Sequence, residues 1–419
     1  MSFGAHNYCD KSTLSKCQES TGGFFSSNQS TTFVEYKDFK TLDADLNNTL
    51  EGYFGQDTLR LYTHFFETDG ASQTLVSNST VEVATGGDIV PGRLGVGADS
   101  TLLRDLASRE MIAGKTYSLY IGQGFDRAGG KVNGSNVFGG YDSGRFTGTP
   151  HQYPMDLNKV NPMSVRIKDI VITQTGSNSN QSLFSTDAFP DMKSTPQTFE
   201  AEITTEQFPL SLPYQITQNF IKAAAASKDN YWGDNSLKAD GAFNATLSVV
   251  LDDGFTITFP SEVLRNASNI TPIQDRDESD NSPFLLGSAF LGQVYLMADF
   301  DSSNFFLAEA VQKNNMVMPA TFCPKSIPEA YERPKENQWQ SQGLIGAVIG
   351  GVVGGIGCIA ALYCLYVSWV RKSDERRLKR DLARNSAAKL EQMDVESAPS
   401  FEGPPKTSVK NKAMFWKRG

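Results

Sequence analysis

Apolar and polar residues alternate in short runs through the first three-quarters of the chain. In 245–251 (ATLSVVL) and 255–259 (FTITF) every second residue is apolar, and 165–173 (VRIKDIVIT) alternates less regularly. That spacing is typical of strands with one buried face. Asp253-Gly254 separates the last two runs and predicts a hairpin turn. The pattern therefore predicts an all-β fold.

Two stretches have the spacing of amphipathic helices instead. The first is 99–112, where Asp99 or Ser100 is the expected cap, and the second is 213–226, whose leading proline suits a first turn. The residues expected on the buried faces are Leu102, Leu103, Leu106 and Ile112 in the first helix, and Ile216, Phe220 and Ala224 in the second.

The region 343–370 contains 28 residues without a charge, and six basic residues follow it within ten positions. A buried core helix is the alternative, but about 20 apolar residues already cross a bilayer, and a basic cluster stays on the cytoplasmic side. We therefore predict a single-pass type I membrane protein, with residues 1–342 outside. Residues 323–342 are polar, contain three prolines and are expected to form a stalk. Residues 371–419 are expected to be a disordered cytoplasmic tail, with an extension of the helix through 373–393 as the alternative.

Charge divides at the same boundary. The tail from 371 has 13 basic and 7 acidic residues, a net charge of +6. Because the whole chain has a net charge of −9, the first 370 residues have a net charge of −15. An acidic ectodomain argues against nucleic-acid binding, which needs a basic face on the folded part. The basic cluster is expected to lie against anionic lipid head groups.

Eight asparagines begin an N-x-S/T triplet, and all of them precede the apolar segment. In a cytosolic protein such triplets would be accidents of a chain rich in Asn and Ser, but their one-sided distribution favours a glycosylated ectodomain. The predicted glycosylation sites are Asn28, Asn47, Asn78, Asn133, Asn180, Asn244, Asn266 and Asn269.

Cysteine and histidine are scarce. Cys9 and Cys17 are expected to form a disulfide in an oxidising compartment, whereas Cys323 has no evident ectodomain partner, and Cys358 and Cys364 lie in the apolar segment. Three scattered histidines make a zinc site improbable, and no complete nucleotide or serine-hydrolase motif is found. No metal and no cofactor are predicted, and the acidic run 274–282 is interpreted as a solvated loop.

Five segments resemble, in order, those of the pepsin-like aspartic peptidases, in particular membrane-anchored members of fungal type. They are GGFFSSNQSTTF (22–33), GYFGQDTLRL (52–61), GRLGVGADSTLL (92–103), FGGYDSGRFTG (138–148) and FLLGSAFLGQVYLMADFDSSNFFLAEA (284–310). The resemblance implies two β lobes that divide near residue 150, with an incomplete N-terminal lobe at 1–150 and a C-terminal lobe at 151–322.

An incomplete first lobe is expected to lack its opening strands and to expose an unpaired sheet edge. The first ten residues, MSFGAHNYCD, have neither the basic start nor the apolar core of a signal peptide. Two explanations stay open: the apolar segment alone directs insertion, or the start of the chain is absent.

The tripeptide Asp142-Ser143-Gly144 has the spelling of a catalytic Asp-Ser-Gly and occurs once. In the resemblance, however, 138–148 is a hairpin, so Asp142 is expected to stabilise a turn.

The second catalytic triplet falls instead in FEAEITTEQFPLSLPYQI (199–216), where Thr204, Thr205 and Glu206 stand at the family's Asp, Thr and Gly. The first Asp-Thr-Gly is absent from the chain, so no catalytic residue is predicted.

Two classes of function are consistent with these residues. The first is a non-catalytic surface glycoprotein that binds a peptide or cell-wall ligand in the interlobe cleft. A simpler version of this class is a structural wall glycoprotein that binds no ligand in the cleft. The second is an active aspartic endopeptidase of the cell surface or secretory pathway whose N-terminus is missing.

Gly346, Gly350 and Gly354 form two consecutive G-x-x-x-G steps, which predict a homodimer through the span.

Overall fold

The computed structural model divides into two compact units, Met1–Glu332 and Arg333–Gly419. The described residues are 2–14, 17–21, 23–43, 48–62, 73–88, 90–122, 133–176, 179–230, 235–313, 317–323, 326–332 and 338–393.

The first unit consists mainly of strands, which confirms the predicted all-β fold class. In chain order they are β1 (Ser2–Ala5), β2 (Phe24–Phe25), β3 (Val34–Asp43), β4 (Asn48–Tyr62), β5 (Gln73–Gly87), β6 (Thr116–Tyr120), β7 (Ser135–Phe138), β8 (Gly140–Asp142), β9 (Phe146–Pro154), β10 (Ser164–Gln174), β11 (Asn180–Ser182), β12 (Phe199–Ile203), β13 (Ser227–Asp229), β14 (Ser236–Lys238), β15 (Ala245–Leu251), β16 (Thr256–Phe259), β17 (Ile270–Gln274), β18 (Leu285–Leu286), β19 (Val294–Asp299), β20 (Asn304–Ala310) and β21 (Pro319–Thr321).

The helices of this unit are short. They are α1 (Tyr8–Lys11), α2 (Cys17–Ser20), α3 (Thr101–Ser108), α4 (Tyr214–Ala224), α5 (Ser261–Leu264) and α6 (Ser288–Leu291), with a 3₁₀ turn at Ser27–Gln29. Helix α3 starts after Ser100, whose hydroxyl accepts a hydrogen bond from the Leu103 amide. It ends earlier than predicted, and Glu110 then has a left-handed φ of 57°. In α4 the residues Ile216, Phe220 and Ala224 are buried, as predicted.

The N-terminal part of the chain forms a five-stranded sheet with the order β2-β1-β5-β4-β3. Strand β1 lies between β2 and β5 and runs parallel to both. The edges of this sheet are β2 and β3, and the predicted absence of opening strands stays a prediction.

The following part of the chain forms a second sheet with the order β16-β15-β10-β12-β18, and β11 pairs with β10. Strands β15 and β16 form the predicted antiparallel hairpin, with Gly254 in the turn at φ +92°. Ile257 and Phe259 are buried while Thr256 and Thr258 are exposed, so the alternation of the sequence corresponds to the two faces of the strand.

A third sheet joins distant parts of the chain in the order β7-β6-β19-β20-β9. Its strands come from 116–154 and from 294–310. The predicted lobe division near residue 150 falls inside β9, and that division stays a prediction. Smaller sheets pair β13, β14 and β17, and β21 with β8.

The second unit contains the helix α7 (Gln338–Met393), of 56 residues. Its part Gly346–Ala387 is long and apolar enough to cross a membrane, with a mean hydropathy of 2.2 in its most apolar window. The helix continues through 371–393, so the alternative of a helical extension over 373–393 holds for that part of the predicted tail. Residues 394–419 of that predicted tail lie outside the described residues.

Candidate functional site

The turn at 204–206 follows a strand that lies inside the second sheet. Strand β12 runs parallel to β18, with Glu202 opposite Leu285 and Ile203 opposite Leu286. The amide of Thr204 continues this ladder and donates to the carbonyl of Leu286 at 3.0 Å. The sequence-predicted triplet therefore begins where an inner strand of this sheet ends.

Thr204 uses its hydroxyl inside this turn. Its Oγ1 accepts a hydrogen bond from the Glu206 amide at 3.1 Å. Thr204 is half-buried, and Thr205 and Glu206 are exposed. A hydroxyl is a hydrogen-bond donor and acceptor but, unlike a carboxyl, does not ionise at neutral or mildly acid pH. The turn therefore contains no acid or base at its first position.

A glycine directly after β18 makes close packing under the turn possible. A Cβ placed on Gly287 would lie 2.5–2.6 Å from the carbonyl oxygens of residues 207–209. The next two amides, of Ser288 and Ala289, donate to the carbonyls of Gln207 and Phe208 at 2.8 and 3.0 Å. The backbone after the triplet is therefore fixed against α6 and has no room for a side chain at 287.

Glu206 forms an ion pair with a residue from the N-terminal part of the chain. Arg93 Nη1 lies 2.9 Å from Glu206 Oε1, and the two side chains are 46% and 56% exposed. The Arg93 carbonyl accepts from the Ser2 amide at 2.9 Å, which ties its backbone to β1. An exposed pair of this kind contributes about 0–1 kcal/mol, so it contributes little to the stability of the turn.

Asp142 serves the hairpin and not the turn at 204–206. It is 1% exposed, and its Oδ1 accepts hydrogen bonds from the amides of Met318 (2.8 Å) and Gly144 (3.1 Å). Its Oδ2 lies 3.8 Å from Arg145 Nε, and its own amide donates to the Tyr295 hydroxyl at 2.7 Å. Burial raises the pKa of that tyrosine. The carboxylate is thus committed to backbone amides and one arginine, in agreement with the expected turn role.

The acidic run 274–282 is only partly the solvated loop that was predicted. Asp275 and Arg276 are buried, whereas residues 277–280 are exposed. Arg276 donates to the carbonyl of Asp280 at 3.1 Å and to the Ser211 hydroxyl at 2.9 Å. The sequence did not predict this structural role, because Arg276 stands in a run of acidic residues that is typical of an exposed loop. Among the described residues, no group of three or more His, Cys, Asp or Glu is placed to hold a metal ion.

The predicted modification sites lie mostly on the surface. Asn266 and Asn269 are half-buried, Asn47 lies outside the described residues, and the exposed positions are Asn28, Asn78, Asn133, Asn180 and Asn244. Cys9 and Cys17 are joined by a disulfide, while Cys323, Cys358 and Cys364 are free and exposed.

Comparison with known proteins identifies the family. The family model described as eukaryotic aspartyl protease matches residues 5–310. Among solved structures, the aspartic proteinase from Irpex lacteus is 17% identical, with a TM-score of 0.49 over 75% of this chain and 90% of that one. None of the curated proteins compared with the chain matches it. Because the family model covers more than half of the sequence, the protein belongs to the eukaryotic aspartyl protease family and has its pepsin-like fold.

Proposed function

We propose that this protein is a membrane-anchored, pepsin-like surface glycoprotein of fungal type without peptidase activity. The observation that carries the proposal is the turn at 204–206, where a threonine follows the central strand β12 and its hydroxyl is bonded to the Glu206 amide. The resemblance to the family puts the second catalytic aspartate at this position.

Peptide hydrolysis in this family needs two carboxylates that share one proton and activate a water between them. One group then acts as the base while the other acts as the acid. A hydroxyl at 204 supplies neither role, so the water would not be deprotonated from that side.

Glu206 is a second obstacle to catalysis. In the family resemblance a glycine stands here, and it lets the backbone pack tightly under the attacking water. Glu206 introduces a charged side chain and, through Arg93, a partner from the N-terminal part of the chain. These two side chains support the proposal that the turn has no catalytic role.

The cell-surface assignment rests on α7 and on the asparagine triplets. The part Gly346–Ala387 suits a single span, and a basic cluster follows its apolar portion. Orientation by that cluster places the pepsin-like unit outside, in the plasma membrane or the secretory pathway. A peptide or a cell-wall polymer is the proposed cleft ligand, since both are extended chains that suit a groove between two lobes.

The alternative is an active endopeptidase, and family membership favours it. A cleavage assay separates the two. The full chain, purified in detergent micelles, is incubated with an unstructured protein between pH 3 and 7, with and without pepstatin, and pepsin serves as the positive control. We expect no pepstatin-sensitive cleavage. Such cleavage would overturn the proposal.

The variant Asp142→Ala then tells where the missing aspartate lies. If cleavage appears and a folded Asp142→Ala protein loses it, the Asp-Ser-Gly hairpin is catalytic and the alignment at Thr204 is wrong. If cleavage appears and survives this change, an aspartate elsewhere completes the pair, and the active alternative holds.

A further inference from the structure

The chain returns to the Asp-Ser-Gly hairpin after its last long strand. Strand β21 pairs antiparallel with β8, with Pro319 opposite Asp142, Ala320 opposite Tyr141 and Thr321 opposite Gly140. We call residues 317–332 the strap, of which 317–323 and 326–332 are described. The strap lies beyond the region that the family model covers, since that match ends at 310.

Met318 marks the start of this pairing, and both of its backbone polar groups are bound. Its amide donates to Asp142 Oδ1 at 2.8 Å. Its carbonyl accepts from the Ser143 amide at 2.8 Å and from the Ser143 hydroxyl at 2.9 Å. Because Asp142 is buried, its bond to Met318 is shielded from water and is stronger than a surface contact.

The second glycine of the FGG motif allows the strap to approach. A Cβ placed on Gly140 would lie 2.3 Å from the carbonyl oxygen of Ala320. No real Cβ makes a contact that short, so a side chain at this position would push β21 away. Gly140 therefore has a steric role that the sequence motif alone did not disclose.

The strap contacts the hairpin again further along. The amide of Glu329 donates to the Tyr141 hydroxyl at 3.2 Å, and the amide of Tyr331 donates to the Ser143 carbonyl at 2.8 Å. Between Met318 and Glu329, Phe322, which is 8% exposed, packs on Tyr141 with 5.2 Å between ring centroids. The contacts thus occur on both sides of an aromatic anchor.

We propose that the hairpin 138–148 is the docking site for the strap, and that docking protects residues 317–323 and 326–332 from proteolysis just before the chain leads to α7. The proposal rests on the membrane anchoring proposed above, because cleavage in this stretch would release the pepsin-like unit from its span. An unprotected linker of this composition would be cut readily, whereas a segment held by strand pairing and a buried aromatic ring must first detach.

Hydrogen exchange tests the docking directly. The full chain in detergent micelles is labelled in deuterated buffer, and peptides from 317–332 are followed by mass spectrometry. We expect the amides of Met318, Glu329 and Tyr331 to exchange at least 100-fold more slowly than in an unstructured peptide. Gly140→Ala and Phe322→Ala are expected to accelerate this exchange at least tenfold, and to accelerate cleavage in the strap by a non-specific protease.

Two controls separate detachment from unfolding. Gly97→Ala is the matched glycine variant, since a Cβ there meets nothing within 4 Å and its strap should exchange like the wild type. Peptides of β15 should keep their protection in every variant. If Gly140→Ala loses protection throughout the pepsin-like unit, it has unfolded, and Phe322→Ala is then the only variant that tests the docking.

Wild-type strap amides that exchange at the rate of an unstructured peptide would overturn the proposal. Full protection of the strap in both Gly140→Ala and Phe322→Ala would also overturn it. If Gly140→Ala unfolds the whole unit, full protection in Phe322→Ala is sufficient to overturn it. Membrane fractionation after alkaline carbonate extraction reports separately on anchoring. A protected strap in a protein that alkaline carbonate extracts would contradict the membrane anchor and leave the docking itself intact.

Discussion

Replacing Asp142 with alanine is expected to destabilise the pepsin-like unit by about 3–5 kcal/mol, the usual cost of removing one partner from a buried ion pair. The carboxylate and Arg145 are 1% and 4% exposed, and Oδ2 lies 3.8 Å from Nε. At an effective dielectric constant of about 20, two unit charges at that separation attract by about 4 kcal/mol. The variant would also leave the Met318 and Gly144 amides without their acceptor, at about 1–3 kcal/mol each if they stay dry.

Arg145 has limited means of compensation once the carboxylate is gone. Its Nε has no hydrogen-bond partner among the described residues. One of its other nitrogens, Nη1, donates to the Lys313 carbonyl at 3.3 Å, and its guanidinium carbon lies 5.3 Å from the centre of the Tyr120 ring. These contacts hold the cation in place but do not neutralise it. The expected loss of stability therefore comes from the unpaired charge as well as from the lost hydrogen bonds.

Asp142→Asn separates the two contributions. The amide oxygen of asparagine still accepts from Met318 and Gly144, while the negative charge is lost. We expect a smaller loss, about 1–3 kcal/mol, and therefore the order Ala, then Asn, then wild type in increasing stability.

The assay is equilibrium unfolding in urea of the full chain in detergent micelles, followed by near-ultraviolet circular dichroism. Asp252→Ala is the matched control, because Asp252 also lies at a hairpin and is 3.9 Å from Arg166, but both side chains are more than half exposed. That variant should lose less than about 1 kcal/mol. If Asp142→Ala costs no more than the control, burial does not strengthen this pair and the reasoning fails.

Further predictions concern the candidate turn, the span and the surface. Gly287→Ala should lower the unfolding free energy by at least about 1–3 kcal/mol, because its Cβ would meet three backbone carbonyls, whereas Gly97→Ala should change it little; equal effects would contradict this packing. Gly350→Ile should abolish dimerisation of the span in a membrane reporter assay, since G-x-x-x-G contacts need a small residue there, and an unchanged signal would refute self-association. The hydrogen bond from Ser164 is the largest cause that lowers the pKa of Glu200, so the stability it contributes is present above the ordinary pKa of a glutamate and is lost as pH falls through the lowered value. Ser164→Ala should therefore raise that pKa in a carboxyl NMR titration, and a pKa that does not move would show that the hydrogen bond is not the cause.

The amino-acid sequence determined the local elements of this protein. Alternation in 245–259 predicted the hairpin around Gly254, and apolar spacing in 213–226 predicted α4, because both depend on residues that are neighbours along the chain. The charge-free segment 343–370 likewise predicted a long apolar helix. For α3 the sequence predicted the existence and cap of the helix but not its early end, since helix ends depend on the packing of the following loop.

Only the tertiary structure decided which distant segments meet. The parallel pairing of β12 with β18, the ion pair of Arg93 with Glu206 and the return of the strap to Asp142 each join residues more than 80 positions apart. Such contacts depend on the register of whole sheets and on shared burial, and neither is encoded in a local pattern. The sequence could therefore predict that Thr204 stands where the family has an aspartate, but it could not predict that Asp142 binds the segment that leads to α7.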